Sequence, residues 1–592
     1  MALPRPANPG LLIVLFLFAF LGIATVFINP IQTTYGIKGD EATYVTMALS
    51  IAYDGDLSFE RHDLTRFWSL YQSGPQGIFL KQGNGDTNRL FFGKSFIYPL
   101  LAAPFVRLAG LNGLLLLNVL LLAALFVCLY LYAATRMSPL AALLITTGFL
   151  SASITPLFAV WMMPEIFNLA LVGIGYFFWL YKETCPQREE TAASKLFLGS
   201  RSDIVAALFL GLATFSKPSN VVLILPLLAL PLWQKNITRS LRIGVVFGLV
   251  VAAGFGTNAL ISGEFNYQGG DRKTFYDRFP FQDAESTFDD TGISVTTDEL
   301  AFEGWQHLGR NMGYFLFGRH FGLLPYYFPA LVIAVWVVRR WRERTVFQGL
   351  ISTAVIITVT ALLLLLPNTW SGGGGPPGNR YFLSIYPAVF FLIPVARSVL
   401  PGVIMWVGGA LFVAQILVDP FVAAKRPWQN AQSGLFRMLP IELTMVNDLP
   451  VRLNQQRSRI PYGESPSLLL NYLDQNAWRP ETSGIWVAGR ARTDIVIRTD
   501  PPVSALDVTL RSPVTNTVTV TVDGSTQRVE LQPREPVTLR TSVEGVHASG
   551  AQNFVLTVET TEGVVPHLEN SRSNDRRFLG VLVNLDAIRG EN

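Results

Sequence analysis

The sequence predicts a polytopic α-helical membrane protein with about eleven transmembrane helices and a C-terminal β-sandwich outside the cytoplasm. Half of its 592 residues are hydrophobic and only 15% are charged, whereas soluble domains carry about 25% charged residues. The charge is uneven: the first 420 residues hold 52 charged side chains, and the last 172 hold 36. Long apolar runs fill the first part, and short β-branched alternations fill the end of the second.

The apolar runs predict where the chain crosses the bilayer, since a crossing helix needs roughly 17–25 mostly apolar residues. Such runs cover residues 10–28, 112–134, 139–159, 164–182, 203–217, 219–233, 240–262, 324–338, 345–366, 381–399 and 402–419. The first is expected to be retained as a transmembrane helix, because no small-residue cleavage site follows it. Residues 96–110 are apolar but short and contain two prolines and Arg107. An interfacial or re-entrant helix is expected there.

Basic residues in the short loops predict the orientation, because cytoplasmic loops retain Lys and Arg. If the N-terminus is cytoplasmic, every basic cluster in a short loop falls on the cytoplasmic side. The clusters are Arg136; Lys182, Arg188, Lys195 and Arg201; Lys235, Arg239 and Arg242; and Arg339, Arg340, Arg342 and Arg344. The same orientation places the outer loops 29–111 and 263–323 and the whole C-terminal part outside the cytoplasm. The expected location is a cell membrane, most simply a bacterial plasma membrane.

Three parts are predicted along the chain. Residues 1–420 form the transmembrane domain, and residues 421–482, which show little periodicity, form a connector. Residues 483–592 contain eight short alternating segments, with Asp523-Gly524 as a hairpin turn, and are expected to form a β-sandwich. The part after residue 420 carries 18 basic and 18 acidic residues. This balance favours a spacer or stabilising role over the capture of a charged ligand.

The bulk composition excludes two classes. The formal charge is only +4, and the basic residues form short clusters between apolar runs, so a nucleic-acid partner has no support. The chain has two cysteines, Cys128 in an apolar run and Cys185 in a polar loop. They cannot build a disulfide framework or a cysteine metal site.

Ionisable residues at the outer ends of the predicted helices are the candidates for chemistry. They are Asp40 and Glu41 after the first helix, Lys94 at the end of the first outer loop, Glu165, Lys217 and Arg380. Each has a structural alternative, because acids cap interfacial helices and Lys and Arg extend from helix ends to the headgroups. However, outer ends disfavour basic residues, and buried carboxylates at that level require partners. Their common level therefore favours a site for an anion.

These features resemble those of the GT-C glycosyltransferases, in the branch that contains the protein O-mannosyltransferases and the lipid A aminoarabinose transferase. The resemblance rests on the Asp40-Glu41 pair after the first helix, the segment from Phe92 to Phe105, the Lys217-Pro218 turn, Arg380-Tyr381 and the exported C-terminal domain. It implies a GT-C-like fold over residues 1–420. It also implies transfer of a hexose or pentose from a polyprenyl-phosphate donor in the bilayer to a glycan, lipid or protein acceptor outside the cytoplasm, with inversion.

The resemblance assigns roles to the candidate residues. Asp40 matches the loop acid and is the candidate base, with Glu41 as a helper and Glu165 as a second acid. Positive side chains would hold the phosphate of the donor as its bond to the sugar breaks. Those candidates are Arg380, Lys217, Lys94 and Arg319. Candidates for contacts with the acceptor or the sugar are Tyr44, His320 and Tyr381.

Metal use and two other functions stay open at this stage. Some GT-C enzymes use a divalent cation and others none. Asp40, Glu41 and Glu165 could bind Mg²⁺ or Mn²⁺, but no histidine-rich ligand set accompanies them, which favours the absence of a metal.

The loop 263–323, acidic and rich in aromatics, fits an acceptor-binding lid or a plain solvated loop. The main alternative function is a transporter or flippase of lipid-linked glycans, and a non-catalytic scaffold is another. A transporter is disfavoured because the acids cluster at one surface and no internal repeat is found.

Overall fold

A computed structural model describes residues 9–33, 37–83, 86–185, 199, 201–295, 303–373, 375–432, 434–451, 460–463 and 468–589. The predicted cytoplasmic residues Arg188 and Lys195 lie outside these ranges. The chain forms two compact units. The first consists of Met1–Ala301, Leu323–Leu366 and Gly378–Arg426, and the second of Phe302–Gly322, Pro367–Pro377 and Pro427–Asn592.

The first unit is mainly helical. Five helices in the described part of the chain are long and apolar enough to cross a bilayer: Pro9–Phe27, Asn112–Ala134, Ile237–Ser262, Val346–Leu365 and Leu400–Val418. Shorter apolar helices are Ile97–Ala109, Pro139–Ser151, Pro218–Trp233 and Phe328–Arg339. The remaining helices of ten or more residues in this unit are Asp40–Tyr53, Arg61–Leu70, Glu165–Thr184, Arg201–Ser216 and Arg380–Phe390. The predicted class, a helical membrane domain followed by a β domain, is confirmed.

Several predicted helices are shorter or broken in the structure, and proline accounts for this. The predicted run 139–159 forms two helices, Pro139–Ser151 and Thr155–Ala159, and the second has a proline in its first turn. Proline is favoured there because its missing N–H is not needed at a helix start. The predicted run 381–399 ends as a helix at Phe390, four residues before Pro394, because a proline in a continued helix would clash with the carbonyl four positions earlier.

The two loops that are predicted to lie outside the cytoplasm, 29–111 and 263–323, contribute strands to one five-stranded antiparallel sheet, which we call the outer sheet after that prediction. Its order is Ser58–Phe59, Asp86–Phe92, Ile78–Gly83, Arg272–Phe275 and Ile293–Ser294. The sheet packs on the helix Asp40–Tyr53 through an apolar cluster that includes Met47, Leu80 and Phe92. We did not predict this sheet, because strands of two to seven residues within long polar loops carry too little periodicity.

The second unit contains the predicted β-sandwich. One sheet has the order Pro536–Ser542, Ala505–Arg511, Leu579–Ile588 and Ile485–Ala488. The other has the order Ser525–Leu531, Asn516–Val522, Ala551–Thr560, Arg492–Thr499, Leu468–Tyr472 and Ile460–Tyr462, and Val546–Ala548 pairs with Ala551–Thr560. Both sheets contribute to one apolar core. The predicted Asp523-Gly524 turn is present, with positive φ at both residues (48° and 86°).

The second unit also includes segments assigned elsewhere by the sequence analysis. Two of its strands, Ile460–Tyr462 and Leu468–Tyr472, lie in the expected connector. The helix Trp305–Phe317 belongs to this unit as well, although it comes from the second outer loop. The expected connector makes a buried polar contact with this helix, because the Thr444 hydroxyl donates a hydrogen bond to Asn311 Oδ1 at 2.6 Å.

Candidate functional site

Asp40 is placed by the turn at the start of its helix. Gly39, with φ of 59°, precedes the helix Asp40–Tyr53, and its N–H donates to the Gln76 carbonyl at 2.7 Å. One turn later, the Thr43 hydroxyl accepts a hydrogen bond from the Phe79 N–H at 2.9 Å. The outer sheet thus holds the first turn of this helix, and Asp40 with it.

Five of the predicted site residues meet in the first unit. The Asp40 carboxylate contacts Lys94 Nζ at 2.7 Å with one oxygen and Arg380 Nη2 at 2.8 Å with the other. Glu165 Oε1 lies 3.3 Å from Arg380 Nε, and Lys217 Nζ donates to the Arg380 carbonyl at 3.3 Å. The cluster therefore brings two carboxylates and three cations together around Arg380, in a mostly buried setting.

Helix ends bring these side chains in. Glu165 is the first residue of the helix Glu165–Thr184, where the helix dipole favours a carboxylate. Arg380 is the first residue of the helix Arg380–Phe390, whose preceding residue Asn379 accepts a hydrogen bond from the Phe382 N–H. The dipole disfavours a cation at that end. Asp40 and Glu165 together offset this cost for Arg380.

Burial and the two cations act against each other on Asp40. Burial alone would raise the pKa of this carboxyl, but Lys94 and Arg380 outweigh it and hold the pKa well below its usual range. Asp40 is therefore an anion in the resting protein. As long as both cations remain on it, it is also a weak base.

Glu41 has the opposite environment. It is 6% exposed, and its carboxylate accepts a hydrogen bond from the Met162 N–H at 2.9 Å. Burial raises the pKa of Glu41 to about 7; the bond from Met162 opposes this rise and the nearby Glu165 adds to it. The second oxygen of Glu165 is buried without a hydrogen-bond partner among the described residues. The site thus offers a carboxyl that titrates near neutrality and an acceptor oxygen that can take a further donor.

Two cations of the outer sheet, Arg272 and Lys81, were not predicted from the sequence. The Phe79 ring links one of them to the site: Lys94 Nζ lies 4.5 Å and the Arg272 guanidinium carbon 5.6 Å from its centroid. Gly93 permits this approach, because a Cβ there would lie 2.9 Å from Arg272 Cδ. Arg272 pairs with Lys81 across two strands. For Arg272, the signal in the sequence was the Arg272-Lys273 pair in an otherwise acidic loop. Such a pair does not reveal which strands are paired.

The two tyrosines proposed as substrate contacts lie beside the cluster. The Tyr381 ring centroid is 5.1 Å from Lys217 Nζ. Tyr44 is 6% exposed and packs edge-on against Tyr98, with ring centroids 6.0 Å apart. Their roles toward a sugar or an acceptor stay predictions.

Arg319 and His320 belong to the second unit, whereas the cluster around Arg380 is built from the first alone. Arg319 Nη1 lies 2.7 Å from Asp494. His320 Nδ1 lies 2.9 Å from the buried Glu442, which also accepts the N–H groups of His320 and Phe321. Such buried charges need partners of this kind. These contacts give Arg319 and His320 a structural role within the second unit, and we do not include them in the proposed site.

The carboxylates considered for Mg²⁺ or Mn²⁺ are already engaged by protein donors. Asp40 and Glu165 contact Lys94 and Arg380, and Glu41 accepts from a backbone N–H. The ammonium and guanidinium groups thus contact both oxygens of Asp40 and one oxygen of Glu165, and they leave the second oxygen of Glu165 open. This donor set does not fit a metal without displacement of both cations, and we derive no step through one.

No protein-family model and no curated protein matches the chain. Among solved structures, it is similar to the crystal structure of ArnT from Cupriavidus metallidurans bound to undecaprenyl phosphate, with 13% sequence identity and a TM-score of 0.40. The similarity covers 71% of this chain and 69% of that one.

Proposed function

We propose that this chain is an integral membrane glycosyltransferase of the GT-C type. In this proposal it transfers a sugar from a polyprenyl-phosphate donor to an acceptor outside the cytoplasm. The observation that carries the proposal is the contact of the Asp40 carboxylate with both Lys94 and Arg380, next to Glu165 and Lys217. Burying so many charges costs several kcal/mol per ion before pairing. Ionisable groups retained near a bilayer commonly mark a functional site.

The cations suit the leaving group. A lipid phosphate bears negative charge that increases when the bond between the anomeric carbon and the phosphate oxygen breaks, and the electron pair of that bond stays on the phosphate. Preorganised positive groups stabilise this charge without reorganisation. Arg380 provides a planar donor fork, and Lys94 and Lys217 provide point charges.

Asp40 suits the base, and binding of the donor would activate it. Once a phosphate shares Lys94 and Arg380, these cations lower the pKa of Asp40 less, and its basicity increases. The carboxylate then takes the proton of the acceptor hydroxyl as the acceptor oxygen bonds to the anomeric carbon from the opposite face. Because the same two cations hold the base and the leaving group, the base becomes competent when the donor is in place.

The test is Asp40→Asn in the purified full chain, in nanodiscs. Loss of a general base lowers the transfer rate by about 10²–10⁴-fold. Affinity for polyprenyl phosphate should hold or increase, because Lys94 and Arg380 lose their counterion. Transfer from a panel of polyprenyl-phosphate sugars and binding of the unglycosylated lipid are measured on the same preparation. Near-normal turnover in the variant would remove Asp40 from the role of base.

Arg380→Ala should have the converse effect and weaken binding of the lipid phosphate. Loss of a charge-assisted contact costs about 1.5–3 kcal/mol, or roughly 10- to 100-fold in affinity. Arg380→Lys keeps the positive charge but lacks the planar pair of N–H donors, so we expect an intermediate loss of affinity for the lipid phosphate. The matched control is Arg107→Ala, an exposed arginine of the same outer region. Unchanged lipid affinity in Arg380→Ala would exclude Arg380 from the phosphate site.

A further inference from the structure

We propose that Lys81, together with Lys94, forms a second anion subsite, which binds a further anionic group at the phosphate end of the donor. This group is the second phosphate of a polyprenyl diphosphate or the carboxylate of an acidic sugar. Both are oxyanions that two ammonium groups can bind. The inference rests on the proposed function, and it specifies the class of donor.

Lys81 is a buried cation without a nearby counterion. It lies on the strand Ile78–Gly83 and is 1% exposed. Its ammonium donates one long hydrogen bond, of 3.4 Å, to the Asn266 carbonyl. Among the described residues no carboxylate lies within salt-bridge distance of it. A buried charge without a partner is costly. An anion that binds here would supply the ion pair that the Lys81 ammonium lacks in the resting protein.

One further cation and one more distant acid act on Lys81. Arg272 is its partner across the two strands, and Glu264 is the acid that acts on it from a greater distance. Burial lowers the pKa of Lys81 to about 8, Glu264 opposes the decrease and Arg272 adds to it. The amine therefore remains mostly protonated at neutral pH, and it can donate to an oxyanion.

Lys81 and Lys94 line the same cleft in the first unit. The other walls are largely apolar and include Met47, Phe92 and Ile261. Lys94 lines this cleft and also contacts Asp40, so its side chain joins the cleft to the cluster around Arg380. A ligand with one phosphate on Arg380 and Lys94 can therefore place a second anionic group against Lys81. A neutral sugar or a bare monophosphate would leave Lys81 unpaired.

The test uses the full chain in nanodiscs with four lipids: decaprenyl phosphate, decaprenyl diphosphate, and decaprenyl phosphate that carries either glucose or glucuronic acid. The wild type should bind the diphosphate more tightly than the monophosphate, or the glucuronyl lipid more tightly than the glucosyl one, by about tenfold or more. Lys81→Met should lose this preference and retain its affinity for decaprenyl phosphate, which also reports that it is folded. Lys81→Arg should keep the preference.

Lys273→Met is the matched control. Lys273 lies in the same sheet, but its ammonium is already paired with Asp289 at 2.7 Å, so the preference should survive its removal. The lipid that gains affinity through Lys81 identifies the source of the second anion. Equal affinity of the wild type for both lipids in each pair would overturn the inference, and so would a parallel loss of monophosphate binding in Lys81→Met. If the wild type bound none of the four lipids, the proposed function itself would fail.

Discussion

Glu41 and Asp40 are neighbours in the chain, yet their environments drive their pKa values in opposite directions. Asp40 faces two cations, whereas Glu41 faces a backbone N–H and a second carboxylate. Opposite shifts of two adjacent acids are typical of sites that assign them different tasks. In the proposed reaction, Asp40 is the group that changes its basicity, and Glu41 is the group that holds a proton near neutral pH.

The raised pKa of Glu41 predicts a pH-dependent stability. The folded chain keeps the Glu41 proton up to about pH 7, whereas an unfolded glutamate loses it near pH 4.3. Between these values unfolding releases a proton, so stability decreases as pH rises, by about 3 kcal/mol in all. Glu41→Gln needs no proton and lacks this cost. Its thermal unfolding midpoint should be close to that of the wild type at pH 5 and clearly higher at pH 8.

The control for this comparison is Glu559→Gln, an exposed residue of the β-sandwich. Its difference from the wild type should be small at both pH values. If the advantage of Glu41→Gln did not grow between pH 5 and pH 8, Glu41 would not be the buried neutral acid that the structure indicates.

Among the elements, one close helix contact in the first unit depends on glycine. Gly402 and Gly409 lie seven residues apart on the helix Leu400–Val418 and face the region around Pro139–Ser151. A Cβ at Gly409 would clash with the Ala152 carbonyl oxygen, and one at Gly402 would lie 2.8 Å from Leu144 Cβ. In a bilayer, helices associate through such close contacts, since lipid is as apolar as the side chains.

Gly409→Ala should therefore destabilise the protein. The added methyl group meets backbone atoms that cannot rotate away, and overpacking of this kind costs about 1–3 kcal/mol. Gly248→Ala on the helix Ile237–Ser262 is the matched control, because no atom lies within 4 Å of the added group. It should be neutral or stabilise by up to about 1 kcal/mol. Thermal unfolding of both variants in one detergent makes the comparison, and equal midpoints would contradict the packing argument.

The strands show which elements the sequence could predict. In the sandwich, period-two alternation and the Asp523-Gly524 turn placed all eight segments correctly. In the outer sheet, the strands Arg272–Phe275 and Ile293–Ser294 are too short to show a period. The pairing of Arg272–Phe275 with Ile78–Gly83 joins segments about 190 residues apart in the chain. Lys81 and Arg272 were missed for this reason, since each is an ordinary basic residue until the pairing places it in a buried sheet.

For the whole molecule, the orientation in the bilayer is still a prediction, and Cys185 offers a direct test. It follows the helix Glu165–Thr184 in a loop that the basic clusters place in the cytoplasm. A membrane-impermeant maleimide should label Cys185 in inverted vesicles and not in intact cells. Cys185→Ser should lose the signal, because the other cysteine, Cys128, lies within the helix Asn112–Ala134.

Ser525→Cys in the Cys185→Ser background is the control from the other side. Ser525 is exposed beside the Asp523-Gly524 turn of the sandwich, and it should be labelled in intact cells. Labelling of Cys185 in intact cells would reverse the orientation. It would also place the cluster around Arg380 on the cytoplasmic face.

The sequence by itself determined the membrane class, the sandwich and the candidate residues at the outer helix ends. These depend on composition, on short periods and on the cost of a charge near lipid, which are all local properties. Only the tertiary structure decided which candidates meet. It joined Asp40, Lys94, Glu165, Lys217 and Arg380, assigned Arg319 and His320 to buried pairs of the other unit, and brought Lys81 and Arg272 toward the site. Ion pairing acts over a few ångströms between residues hundreds of positions apart, and no local pattern encodes that proximity.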